Sequence, residues 1–127
     1  MKRTPVLPFL GGVFLVATLT FSSCTHEPVG VDAQPEVCFE TEVRPIILAN
    51  CAKSGCHSGG DEMDLSTESS ILSHVTPFKP DESNLYTSLT STWSNPMPPS
   101  PNPPLTLQQR STIALWILQG AGTSCGS

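Results

Sequence analysis

Two cysteines and a histidine lie within seven residues near the middle of the chain. Cys51 and Cys56 are separated by four residues, and His57 follows directly. Two thiols that add to the vinyl groups of a haem, followed by a histidine that binds its iron, are the attachment pattern of c-type haem. The common spacing places two residues between the cysteines, and this chain has four. The motif therefore predicts a covalent haem on a longer attachment loop.

Length and charge restrict what surrounds this motif. Of the 127 residues, those that follow an N-terminal targeting segment suffice for one small domain. A domain of this size buries little apolar surface, so a covalent cofactor or a disulfide would help to stabilise it. All 11 acidic residues follow Cys24, against four basic ones, which gives that part a net charge of −7. This balance argues against nucleic acid as a partner and permits a basic protein partner.

The N-terminus has the layout of a secretory signal. Lys2 and Arg3 precede an uncharged apolar stretch, which ends in Ser22, Ser23 and Cys24. Small residues before a cysteine resemble a bacterial lipoprotein signal, in which the cysteine is lipidated. We therefore expect a signal peptide over 1–23, lipidation at Cys24 and a flexible tether over 24–37. An uncleaved membrane anchor is the alternative. Either arrangement places the domain in the cell envelope, periplasmic or at the outer-membrane surface.

The domain over 38–127 is expected to be all-α. An apolar helix starts near Thr41 or Glu42 and runs into Asn50, directly before the motif. Two short helices are predicted, with caps at 66–68 and 81–83. A dense run of prolines over 93–104 excludes helix and central strand and fixes a stiff loop around Met97. A capping box, Thr106 with Gln109, then starts a final helix that packs on the first, carries Trp116 toward the core or the haem edge, and ends at Gly120 or Gly122.

Taken in this order, the segments resemble the single-haem c-type cytochrome domains often called planctomycete-type cytochrome c domains. The resemblance spans about 43–121 and rests on these pieces: Cys51–His57, Met63–Ser66, Ser83–Tyr86, Met97–Pro99 and Trp116–Ala121. It implies a small cytochrome c-like fold, with crossed N- and C-terminal helices around a covalent haem. It also implies that Cys51 and Cys56 are the thioether sites, His57 the proximal iron ligand and Met97 the distal one.

The five cysteines can be assigned within this interpretation. Cys24 goes to lipid and two cysteines go to haem, which leaves Cys38 and Cys125. If the terminal helices cross as in a cytochrome c, these two can meet as a disulfide. Two disulfides among the four mature cysteines are an alternative. So is a zinc site made by Cys51, Cys56 and His57, which is weaker because adjacent residues seldom reach one ion.

The ligand set and the function also have alternatives at this stage. Met63 and His74 compete with Met97 for the distal position. Ligation by histidine and methionine predicts an electron carrier, tethered to a membrane, that exchanges electrons with redox protein partners. An open distal site would instead predict a haem enzyme or a gas sensor. A haem-free, disulfide-braced binding lipoprotein is the third possibility. Hydrolytic catalysis has no support, because no Ser-His-Asp set, phosphate loop or carboxylate pair stands out.

Overall fold

The structure is a computed structural model that describes residues 30–59, 63–91 and 96–125. Its described part is helical and contains no strand, which confirms the all-α expectation. A 3₁₀ turn at Val31–Ala33 precedes a π-helical turn at Phe39–Val43, and another 3₁₀ turn lies at Pro80–Glu82. The α-helices are α1 (Arg44–Asn50), α2 (Glu68–Ser73), α3 (Asn84–Thr90) and α4 (Leu107–Leu118). No helix among these residues is long and apolar enough to cross a membrane. The predicted signal peptide and Cys24 lie outside the described residues.

The first helical segment begins earlier than predicted. The amide of Cys38 donates to the carboxylate of Glu42 at 2.8 Å, which satisfies one of the free donors at a helix start. The chain then makes the π-helical turn before it enters α1, where Pro45 occupies the first turn and its missing N–H costs least. Phe39, Val43 and Ile47 are fully buried. Their side chains form the wall on which the rest of the domain packs.

Ser83 precedes α3 as predicted but does not cap it with its side chain. Its side chain is fully buried, and the hydroxyl accepts from the amide of Thr76 at 2.9 Å and lies 2.8 Å from the carbonyl oxygen of Lys79, to which it donates. The predicted cap of α2 is confirmed, because the hydroxyl of Thr67 accepts from the amide of Ser70. Ser83 therefore connects the loop before α3 to its start rather than closing the helix end.

Both ends of α4 follow the sequence prediction. Thr106 and Gln109 form the reciprocal capping box at its start. At its end Gly120 has a φ of +102°, and the amides of Gly120 and Ala121 donate to carbonyls three and five residues back, respectively. This is the arrangement of a Schellman motif, which favours glycine at the left-handed position. Trp116 packs on Phe39 with ring centroids 5.3 Å apart, so α4 contacts the first helical segment as expected.

The two ends of the domain are joined covalently and by hydrogen bonds. Cys38 and Cys125 form a disulfide with Cα atoms 5.1 Å apart, within the usual range. Beside it, the side chain of Gln119 donates to the carbonyl of Pro35 at 2.9 Å and accepts from the amide of Val37 at 2.8 Å. Residues 35–37, the end of the expected tether, therefore pack against the domain.

Candidate functional site

A cavity of about 260 Å³, partly open to solvent, lies where α1 ends. It is slightly smaller than most ligand sites, which measure ~300–1,000 Å³. The side chains of Cys51, Cys56, His57 and Met97 all line it, although Met97 is forty residues from His57 in the chain. The remaining lining residues are Asn50, Lys53, Gly55, Pro98, Pro99 and Asn102. The fold thus brings every predicted haem-contacting residue to one cavity.

The four residues between the cysteines form a tight turn rather than a wide loop. The amide of Cys56 donates to the carbonyl of Lys53 at 2.9 Å, and Gly55 has a φ of +78°, as the third residue of a type II turn requires. The carbonyl of Cys51 accepts from the amides of Lys53 at 2.8 Å and His57 at 3.2 Å. These bonds close the loop on itself. The longer spacing is therefore accommodated while both cysteines remain on the cavity wall.

The two cysteines of the motif are free thiols in different environments. Cys51 is buried at the end of α1, whereas Cys56 is half-buried. Burial disfavours the thiolate and raises the pKa of Cys51 to about 11, a rise that the positive charge of Lys53 partly offsets and Cys56 adds to. Cys51 is therefore a neutral thiol at pH 7. The alternative with two disulfides does not agree with the structure, because only Cys38 and Cys125 are paired among the described cysteines.

A hydrogen bond to the backbone fixes the ring of His57. Its Nδ1 lies 2.8 Å from the carbonyl oxygen of Met63. Because a carbonyl only accepts, Nδ1 must carry the proton, and the neutral ring then keeps its lone pair on Nε2. Histidines that bind metal are oriented in this way by an outer acceptor. Nε2 has no hydrogen-bond partner within the described residues, so it is the nitrogen available to a metal.

The segment that carries this acceptor is itself tied down. The amide of Leu65 donates back to the carbonyl of His57 at 2.9 Å, and the side chain of Leu65 is buried in the core. Asp64 accepts from the amide of Ser66 at 2.8 Å, and the hydroxyl of Ser70 donates to the carbonyl of Asp64. Hydrogen bonds from Ser66, first from its side chain and then from its backbone, lower the pKa of Asp64. We call residues 63–66 the acceptor segment.

Met97 lies on the proline-rich loop, which forms a second wall of the cavity, and a main-chain hydrogen bond fixes its position. Its amide donates to the carbonyl of Ser88, on α3, at 3.1 Å. Further along, the backbone and side-chain amides of Asn102 both donate to the carbonyl of Pro99, at 3.0 and 3.1 Å. The side chain of Met97 is partly buried against the core. The proline-rich loop therefore positions this thioether at the cavity, as the sequence predicted.

The competing ligand assignments receive no support from the structure. Met63 packs partly buried against the core and His74 follows the end of α2, and neither lines the cavity. Within the described ranges, no three side chains of His, Cys, Asp or Glu lie close enough to hold a metal ion. Cys51, Cys56 and His57, the residues of the alternative zinc site, therefore do not form such a group in the structure. Trp116 is in the core, where its Nε1 donates to the carbonyl of Gly122, and it does not line this cavity.

The structure adds three polar residues that the sequence did not indicate as part of the site. Asn50, Lys53 and Asn102 line the cavity. Asn50 directly precedes the motif, and its side chain also donates to the carbonyl of Ile46 at 2.7 Å. Lys53 is exposed and is the one charged side chain of the lining, in a chain whose net charge is −5. Only its position between the two cysteines would have pointed to it.

The donor set determines which cofactor fits. An imidazole nitrogen and a thioether sulfur are the axial ligands of many c-type haems, and free thiols beside them are the groups that attach such a haem. These four side chains therefore fit a haem better than a closed zinc or calcium site, which requires more thiolates or oxygens. Comparisons with protein-family models, with curated proteins and with solved structures found no match to this chain.

Proposed function

We propose that the protein is a single-haem c-type cytochrome of the cell envelope that transfers electrons between protein partners. One observation carries the proposal. Cys51, Cys56 and His57, which form one sequence motif, line the same cavity as Met97, which the proline-rich loop supplies from forty residues further on. The four residues have matching chemical roles, because two attach the cofactor and two bind its iron. The cytochrome c-like fold, with its terminal helices packed on each other, belongs to the same proposal.

Each residue has a defined task in this function. The thiols of Cys51 and Cys56 would hold the haem through thioether links, and Nε2 of His57 would bind its iron because Nδ1 is engaged by Met63. The sulfur of Met97 would be the second iron ligand. A haem held in this way would supply a one-electron couple between ferric and ferrous iron. The sulfur ligand would raise its reduction potential, and two protein ligands would leave no open position for oxygen or peroxide.

This ligation favours an electron carrier over an enzyme. With both axial positions occupied, the protein contributes orientation, a dry pocket and local charge, and electrons pass without bond formation. The apolar cluster behind the cavity, which includes the buried side chains of Ile47 and Leu65, excludes water from one side. The predicted lipid at Cys24 would keep the domain near its redox partners at the membrane.

Covalent haem attachment is the direct test. The chain from Thr25 onward is expressed in a periplasm that contains the haem-attachment machinery, and the purified protein is measured by mass spectrometry and by absorption with and without carbon monoxide. We expect one covalent low-spin haem that does not bind carbon monoxide when reduced. The matched variants are Cys51→Ala and Cys56→Ala, each of which should retain one thioether.

Other outcomes of this experiment have defined meanings. A covalent haem that binds carbon monoxide at once would replace electron transfer with a catalytic or gas-sensing function. A protein that folds with its Cys38–Cys125 disulfide but carries no haem would overturn the proposal. Folding is checked separately by the disulfide mass and by circular dichroism, so a misfolded product is not mistaken for a haem-free one.

A further inference from the structure

A second cavity lies at the other end of the domain, and we call it the strap groove. It measures about 340 Å³ and is bordered by the chain before the first helix and by the end of α4. Asp32, Glu36, Phe78 and Leu118 contribute to its lining. It shares no lining residue with the candidate haem cavity. A molecule bound there would leave the haem cavity open.

Phe78 is the unusual residue of this groove. It is 66% exposed, and its φ of +65° lies in the left-handed region that large side chains rarely adopt. Its amide donates to the carbonyl of Ile117 at 2.8 Å, which holds the backbone in place. The ring lies against Gly120, where a Cβ would be 2.8 Å from its Cζ atom. Phe78 therefore has an unfavourable left-handed backbone conformation, and its aromatic ring remains largely exposed.

The burial of this ring does not explain its conformation. An aromatic side chain that is two-thirds exposed contributes little hydrophobic stabilisation to offset the strain of a left-handed conformation. The partly exposed side chain of Leu118 lines the same groove and extends the apolar surface. Phe78 and Leu118 thus form an apolar side of the groove that an apolar side chain of a partner can contact.

The charges of the groove determine which partner fits. Asp32 and Glu36 line it, and neither lysine nor arginine does. A cation beside an aromatic face and near a carboxylate gains from both. A second copy of the chain offers few such cations. Of the four in the described residues, Arg44 and Lys79 pair with Glu40 and Glu82 on their own chain, and Lys53 lines the candidate haem cavity.

We propose that the strap groove docks a segment of a partner protein that presents a basic side chain beside an apolar one. The apolar side chain packs on Phe78 and Leu118, and the basic group lies by Asp32 and the open ring. This docking site is independent of the haem proposal, because none of its residues touches the haem cavity. It holds the domain on its partner while the redox cavity stays free.

Titration of the isotope-labelled full mature chain with two capped dipeptides tests this proposal by nuclear magnetic resonance. The probes are acetyl-Leu-Arg-amide and acetyl-Leu-Glu-amide. We expect the arginine peptide to shift amide signals around the groove, at Asp32, Leu118 and Gly122, and to bind about three- to tenfold more tightly than the glutamate peptide. Added salt should reduce the difference, because part of the attraction is electrostatic.

Variants distinguish binding in the groove from nonspecific binding to the protein surface. Phe78→Asn keeps a residue that tolerates the left-handed backbone, and it should weaken binding of the arginine peptide several-fold. Leu107→Ala is the control, because Leu107 is 74% exposed and does not line the groove, and it should leave binding unchanged. Asp32→Asn should remove most of the preference for arginine. Three results would each overturn the proposal. They are equal shifts with both peptides, equal effects of Phe78→Asn and Leu107→Ala on binding, and signal shifts that follow protein concentration without peptide.

Discussion

The ring of His57 is oriented by the backbone of Met63, six residues later, through a hydrogen bond of 2.8 Å from Nδ1 to the carbonyl oxygen. The side chain of Met63 does not line the cavity, so this residue acts through its main chain alone. Because Nδ1 must donate, the lone pair of the neutral ring lies on Nε2, and His57 lines the cavity. The position of that carbonyl depends on the acceptor segment. Asp64 makes hydrogen bonds with Ser66 and Ser70 that hold this segment, so it is the first residue to substitute.

We expect Asp64→Ala to loosen the acceptor segment and to change how stability depends on pH. Hydrogen bonds from Ser66 lower the pKa of Asp64 in the folded protein below its ordinary value of 3.8. A lowered carboxyl pKa stabilises the fold above the ordinary value, and that contribution is lost as pH falls through the lower, folded value. Urea unfolding of the haem-free domain between pH 7 and pH 3 should therefore show a steeper acid loss in the parent than in the variant.

A control defines the outcome of this experiment. Asp81→Ala removes a carboxylate from the 3₁₀ turn before α3, away from the acceptor segment. Exchange of the Leu65 amide, which donates to the carbonyl of His57, should accelerate in Asp64→Ala and not in Asp81→Ala. Parallel acid profiles of the parent and both variants would contradict the role of Asp64.

Replacement of the two methionines should distinguish the distal ligand. In the haem-loaded protein, Met97→Ala removes a side chain that lines the cavity, and the reduced form should then bind carbon monoxide stoichiometrically and have a lower potential. Met63→Ala removes a methionine of similar partial burial that does not line the cavity, and it should keep carbon monoxide out. Carbon monoxide binding by the Met63 variant alone would assign the distal position to Met63.

The two thiols of the motif should react at different rates in the haem-free protein. With a pKa of about 11, Cys51 has roughly one thiolate per thousand molecules at pH 8, and it is buried. Because Cys56 is only half-buried, iodoacetamide should modify Cys56 at least tenfold faster than Cys51, as measured by peptide mass spectrometry. The Cys51 rate should rise about tenfold per pH unit up to pH 10. Equal rates in the native protein, with equal rates after denaturation as the reference, would contradict the burial of Cys51.

Removal of the disulfide should strongly destabilise the domain. The bond closes a loop with a sequence separation of 87, and the chain-entropy relation gives about 4–5 kcal/mol for a loop of this length. We expect the double variant Cys38→Ser, Cys125→Ser to lose about that free energy of unfolding in urea. The haem-free parent after reduction is the matched comparison. A loss below about 1 kcal/mol would contradict the chain-entropy value for this loop.

Local signals in the sequence predicted the helices well, because caps depend on neighbours along the chain. Thr67, Thr106 and Gly120 stand where the helix ends were expected, and each makes the bonds that such residues make. The predicted side-chain cap at 81–83 is not made by Ser83. Its hydroxyl instead bonds to Thr76 and Lys79, which a loop brings close to it. A residue type alone does not reveal such a tertiary bond.

The side chains of the candidate site could be predicted from the sequence, but the groups that hold them in position could not. Cys51, Cys56, His57 and Met97 carry chemistry that a sequence displays directly. The acceptor for His57 is a main-chain oxygen, and every residue has one, so no pattern marks it. The clamp by Gln119 joins residues more than eighty positions apart through an ordinary amide, which also leaves no signal in the sequence.

The disulfide and the Gln119 clamp have a consequence for the orientation of the domain. They fix the incoming chain at the start of the first helical segment, whereas Cys51 and the candidate haem cavity lie where that segment ends. Twelve helical residues separate the two places, a distance of about 18 Å. Whatever holds the chain upstream therefore pulls on the end of the molecule remote from the cavity. A molecule held at a surface by its upstream chain would therefore present the candidate cavity on the side away from that surface, where a partner in solution can reach it.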